Sequence, residues 1–377
     1  GVPMLIRENK AEFLMLSYRN SYQGVLLLSE GHLALGNLPR TWDFRNWPGF
    51  YYFTAFLSSS TSLPATVLAD YFPLLTIALL GVFTYSILRL QLNTLHSSLG
   101  ALWFIGSFWT SQHYFGPQGF AYVIYFTLIL LLAKLFFIKN KQSIAFPLSI
   151  IFMFTATVAS HLLTSFMILG GVVAIYTLYK ILPLKIKIHP FYSIATILLL
   201  ASIFFSYQLL VTQRSFYTIA ELLYEKISRG ETPLYYTALL QTRIVGSTSY
   251  LLELVGTYSI TIINVVIAIS AILTTALGLL FNKKETKHYV FWIAWIIVAG
   301  LLGAFVKYGS ESLDRAFMFM LLSTSYFSIK FLSKKPRILI LVLMILIFIH
   351  IPADYSDEMR TMVPTSEFRG IAFHAKY

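Results

Sequence analysis

Long apolar runs free of Asp, Glu, Lys and Arg recur along most of the chain, broken by short polar or basic connections. A helix needs about 20 such residues to cross a hydrocarbon core of roughly 30 Å. On that pattern the sequence predicts ten membrane spans, at 66–90, 97–111, 117–138, 144–160, 162–180, 191–211, 258–281, 290–307, 315–332 and 338–352. The stretch 144–180 decides how the fourth and fifth are divided. As one helix it would be about 55 Å long, well beyond the membrane core. Thr155, Thr157, Ser160, His161, Thr164 and Ser165 interrupt it, and a turn is expected at Ser160–His161.

Outside the spans the pattern changes. Residues 1–48 mix charges, aromatics and prolines and read as an ordered segment at the membrane surface. Trp47-Pro48-Gly49-Phe50-Tyr51-Tyr52-Phe53 opens a short apolar piece that ends in Ser58–Ser62. It is too short to span and aromatic enough to lie in the interface. Between the sixth and seventh spans, 212–257 forms a second long segment. Within it Phe216, Ile219, Leu222, Leu223 and Ile227 recur at helical spacing, with Glu221, Glu225 and Lys226 off that stripe, as in an interfacial amphipathic helix. The sequence therefore divides into a first surface segment at 1–62, six spans to 211, a cap at 212–257, four spans to 352 and a last segment at 353–377.

Composition turns this pattern into a class. The chain has 377 residues, of which 57% are hydrophobic and 12% charged, and its mean hydropathy is +0.71. So apolar a chain has no soluble fold that hides it, and an all-α polytopic membrane protein is expected. With no cysteine, disulfides, thiolate metal sites and cysteine nucleophiles are excluded. The absence of cysteine, with abundant Ile, Leu, Tyr and Lys, fits a thermophile.

The net charge of +12 reflects topology rather than nucleic-acid binding. Alternate short connections, at 89, 134–141, 180–187, 283–287 and 330–337, carry fourteen of the 28 Lys and Arg residues against Glu285 alone. By the positive-inside rule that side is cytoplasmic, which puts 1–62, 212–257 and 353–377 outside the cell. An outer first segment implies a signal or a span upstream of Gly1. Ten of the twelve arginines then lie outside, whereas most lysines lie inside. Arginine grips phosphate bidentately, so the outer surface suits an anionic ligand; pairing with the outer acids explains the arginines equally well.

Four outer stretches carry motifs. They are Trp42-Asp43-Phe44-Arg45-Asn46-Trp47-Pro48-Gly49, the hairpin Gln112-His113-Tyr114-Phe115-Gly116-Pro117-Gln118-Gly119-Phe120-Ala121-Tyr122, then Ser160-His161-Leu162-Leu163-Thr164-Ser165, and Ser310-Glu311-Ser312-Leu313-Asp314-Arg315-Ala316. Their order and spacing resemble archaeal multi-spanning members of the C-type glycosyltransferase superfamily (GT-C), with similar WPG, PQ, H..T and RA signatures. The resemblance implies a GT-C-like fold in the plasma membrane whose extracytoplasmic first loop bears catalytic carboxylates. It also implies a polyprenyl-phosphate-linked sugar as donor, a divalent cation if the chain is catalytic, and often a further outer domain near where Tyr377 falls.

One position departs from the family. The early loop usually holds an Asp, and here Ser17-Tyr18-Arg19-Asn20-Ser21-Tyr22 places Asn20 there. An amide is no general base and is a poorer ligand than a carboxylate for a hard cation. Glu30 and Asp43 are the remaining candidates for catalysis, beside Asn20 itself. Arg45, His113, His161, Arg243 and Arg315 are the candidates for lipid-phosphate binding. His113 and His161, with His350, are alternatively axial ligands for haem b. Gln118 after Pro117 is explained equally by the start of a helix, and Asp314–Arg315 by a local ion pair with an acid at a helix N-terminus. Asp70, near the outer end of a span, is either a site residue or one facing water. Two functions follow. One is transfer of a sugar from a polyprenyl-phosphate carrier. The other is a non-catalytic membrane subunit that anchors an extracellular or respiratory partner.

Overall fold

A computed structural model describes residues 48–108, 115–138, 144–182, 189–213, 248–281, 283–305 and 312–361. The described residues form eleven helices and no strand: α1 (Gly49–Thr61), α2 (Ala65–Leu88), α3 (Thr94–Ser107), α4 (Pro117–Phe137), α5 (Ala145–Val158), α6 (Leu162–Ile181), α7 (Ile194–Leu210), α8 (Thr248–Phe281), α9 (Lys283–Phe305), α10 (Ser312–Leu332) and α11 (Pro336–Thr361). Segments of four of them, Val67–Leu88, Pro117–Phe137, Leu162–Ile181 and Val255–Gly278, are long and apolar enough to cross a membrane. Shorter apolar helical segments occur at Ala145–Val158, Ile194–Leu210, His288–Ala304 and Pro336–His350. Each expected span falls on a helix, and the apolar run counted from 258 is the later part of a helix that begins at Thr248. The chain is thus helical and of membrane type.

The helix ends have local causes. Asn93 accepts the His96 N–H at 2.8 Å and Ser193 accepts that of Thr196 at 3.4 Å, each supplying an N-terminal cap. Pro117 stands in the first turn of α4, where its missing N–H costs nothing. Lys134, Lys180 and Lys330 sit in the last turns of α4, α6 and α10, favourably placed against the helix dipoles. These three helices therefore start at the end of the bundle opposite the lysines. Ser62 ends α1 in the left-handed conformation, with φ 58°.

Packing between helices relies on small residues and single polar pins, as expected where lipid is as apolar as leucine. α6 lies against α9, α4, α5 and α7, and α10 lies against α9, α3, α8 and α11. Where α6 meets α9, Gly171 faces the Trp295 ring so closely that a Cβ would fall within contact of three ring atoms. Asn264 on α8 is fully buried. Its Oδ1 accepts from Trp103 Nε1 at 3.2 Å and Thr324 Oγ1 at 2.9 Å; its Nδ2 donates to Ser107 Oγ at 3.2 Å and to its own helix at Ile260 O, 3.0 Å. One side chain thereby joins α3, α8 and α10. The outer face of α8 carries exposed Ile262, Val266, Ile269 and Leu273, as a surface meeting lipid should.

Candidate functional site

The turn expected at Ser160–His161 is present, between α5 and α6, and other elements gather on it. α1 docks there through Gly49, whose N–H donates to Ala159 O at 2.9 Å. A Cβ on Gly49 would collide with Ser160 Oγ and stand 3.2 Å from Ala159 O, so the glycine is needed for the close approach. Phe50 then packs edge-on against Phe115, with centroids 4.9 Å apart, and Phe53 stacks on Phe120 at 4.4 Å. The glycine of WPG, the start of α4 and the His161 turn thus adjoin.

His161 caps α6. Its Nδ1 accepts the Thr164 N–H at 3.3 Å and lies 2.9 Å from Thr164 Oγ1. An Nδ1 that accepts a backbone N–H carries no proton, so the neutral ring holds its proton on Nε2. The turn is buried, and that burial pulls the His161 pKa down from 6.5 to about 3, with the nearby Arg315 charge acting in the same direction. The ring is therefore neutral at pH 7 and acts as a hydrogen-bonding group, not a cation. Ser160, Ser165 and Thr157 donate to carbonyls of their own helices, which makes much of the turn's polarity structural.

Arg315 lies in the first turn of α10 and is only 8% exposed. α10 is held to α4 by Tyr122, whose hydroxyl donates to Met318 O at 2.6 Å, with Tyr125 Oη 3.5 Å from Phe319 O. The first of these contacts joins the second turn of each helix. Asp314, half-buried, stands beside Arg315 in the first turn, as expected of an acid there.

Two glutamines complete this end of the bundle. Gln118, one turn before Tyr122, is 2% exposed, and neither atom of its amide has a hydrogen-bond partner among the described residues. Gln208 on α7 is fully buried; its Oε1 accepts from Thr212, and its Nε2 has no partner among the described residues. Phe204, one turn earlier, meets Phe166 at 6.4 Å, which sets Gln208 level with the start of α6. Gln208 was not singled out in the sequence. Its one signal there is a lone amide near the end of an apolar run.

Of the sequence-expected site residues, His161 and Arg315 are thus brought together. Asn20, Glu30, Asp43, Arg45, His113 and Arg243 lie outside the described residues. Asp70, half-buried, is early in α2, close to the Phe72–Phe115 contact. His350 sits on α11, which packs on α8, α3 and α10. Among the described residues no group of three His, Asp or Glu could hold a metal ion.

No family model and no curated protein matches the chain. A solved structure does: the oligosaccharyltransferase AglB of the archaeon Archaeoglobus fulgidus, determined in complex with an inhibitory peptide and a dolichol-phosphate. The two superpose with a TM-score of 0.53 at 10% identity, over 93% of this chain and 52% of AglB. The two chains share a fold. This chain spans about half the length of AglB, and at that identity the likeness extends to architecture alone. The GT-C-like helical arrangement suggested by the WPG, PQ, H..T and RA motifs accords with it. The described parts of those motifs gather at the end of the bundle away from the lysines.

Proposed function

We propose that the chain is a membrane glycosyltransferase-like protein that binds a polyprenyl-phosphate-linked sugar on the outer face and transfers the sugar. The observation that carries this reading is the buried Arg315 guanidinium beside neutral His161, where α4, α6 and α10 all present their N-termini. Helix N-termini and arginine both favour a phosphate. In the step, an acceptor oxygen attacks the anomeric carbon while the bond from that carbon to the phosphate oxygen breaks. The phosphate leaves with the bonding pair. Arg315 and His161, with Arg45, His113 and Arg243, hold it, and Glu30 or Asp43 takes the acceptor's proton.

The test is binding of dolichyl phosphate to purified protein, followed by transfer from a dolichyl-phosphate-linked sugar to a soluble acceptor. Binding with transfer supports the enzyme. Binding without transfer supports a degenerate carrier-binding subunit, as Asn20 in place of the expected Asp would produce. No binding sends the reading to the alternative of a partner-anchoring subunit.

The outer assignment has its own test. The chain has no cysteine, so single thiols can be introduced without background. Gln142→Cys should resist a membrane-impermeant thiol reagent in intact cells, and Ser247→Cys should react. The opposite pattern would reverse every inside and outside assignment.

A further inference from the structure

Gln118 is explained neither by the helix it starts nor by a phosphate. Pro117 alone suffices to open α4, and a buried amide with neither atom bonded among the described residues is an unfavourable way to begin a helix. The carboxamide stands in the first turn of α4, one turn before Tyr122, whose hydroxyl donates to Met318 O on α10, the helix that bears Arg315 in its first turn. It presents a donor, Nε2–H, and an acceptor, Oε1. A phosphodiester offers acceptors only, so it would engage Nε2 and leave Oε1 unmatched. A sugar hydroxyl or acetamido group offers both. We infer that Gln118 contacts the sugar of the carrier, through a hydroxyl or an acetamido group, while Arg315 contacts the phosphate; this rests on the carrier-binding reading above. Gln118 is then a specificity-determining residue, reading the cargo rather than the carrier.

Gln118→Met keeps the length of the side chain and removes the amide; Gln118→Leu serves if the first variant folds poorly. The probes are dolichyl phosphate, dolichyl-phosphate mannose and dolichyl-phosphate N-acetylglucosamine, the last two separating hydroxyl from acetamido recognition. Affinity for bare dolichyl phosphate should stay within about twofold, while at least one sugar-bearing carrier should weaken roughly 5- to 50-fold. With no carrier present, the thermal midpoint should rise by about 2–4 °C, because an unmatched buried amide has been removed. Equal weakening of all three probes, or none, overturns the inference while leaving carrier binding intact. A midpoint lowered in both variants overturns it too, since the amide would then be satisfied in the carrier-free protein. A wild-type protein that binds none of the probes overturns both this inference and the carrier reading beneath it.

Discussion

Replacing Arg315 with alanine should cut affinity for dolichyl phosphate by roughly 10- to 150-fold, the effect of losing a charge-assisted hydrogen bond of about 1.5–3 kcal/mol. Arg315 sits at 8% exposure, where water does little to screen its field, so the loss should fall at the upper part of that range. His161 needs a gentler change, because it also caps α6. His161→Asn keeps an acceptor suited to the cap and removes Nε2–H, so it should weaken binding less than Arg315→Ala without unfolding the helix. A structural role for Arg315, pairing with a neighbouring acid, gives the opposite result: the thermal midpoint falls and lipid binding is unchanged. Binding isotherms and melting curves on the same two variants separate these outcomes.

Gly171→Ala should destabilise the protein although alanine is the better helix former. The substitution gains about 1 kcal/mol of helix propensity. Against it, a Cβ on Gly171 falls on the Trp295 ring, and overpacking of that kind costs about 1–3 kcal/mol, or more where the neighbour cannot move. Trp295 is poorly placed to swing aside. It is 1% exposed, edge-on to Tyr125 at 5.7 Å and to Phe291 at 6.2 Å. Packing should therefore win. Gly170 makes an internal control, because its Cβ would meet a Val298 methyl at 2.8 Å, a smaller group than an indole. A thermal midpoint that falls for Gly171→Ala and falls less for Gly170→Ala is expected. An increase for Gly171→Ala would mean that α6 and α9 are less tightly packed than described.

The helices were legible because burial in lipid demands long apolar runs, and such runs are a one-dimensional signal. The turn at Ser160–His161 was legible for the same reason, as a polar break in a run too long for one span. His161 and Arg315 stood out as titratable groups near the ends of spans. Their meeting did not, because they are 154 positions apart and nothing in either stretch refers to the other. Gln118 was visible only as a residue after a proline. Its significance lies in the burial of an amide that has no hydrogen-bond partner among the described residues, which no local pattern in the sequence shows. Asn264 was missed altogether. One amide in an uncharged run barely lowers the hydropathy, yet in a medium that supplies no hydrogen bonds it is the residue most worth asking about.

The Asn264 pin bears on the order in which the chain is put together. Trp103 and Ser107 find their partner 161 and 157 residues later, and Thr324 waits for none, since Asn264 precedes it by 60. At about 5–20 residues per second, α3 is made many seconds before α8 exists. Through that interval the Trp103 indole N–H has to be matched by water or by the insertion machinery. Apolar helices can slide and rotate past one another at little cost, so before α8 arrives nothing of this kind fixes the depth of α3. Arrival of α8 sets the height of α3, and arrival of α10 then sets its own height against both. The axial position of Arg315, two to three turns up α10 from Thr324, is therefore determined only when the last of the three helices locks.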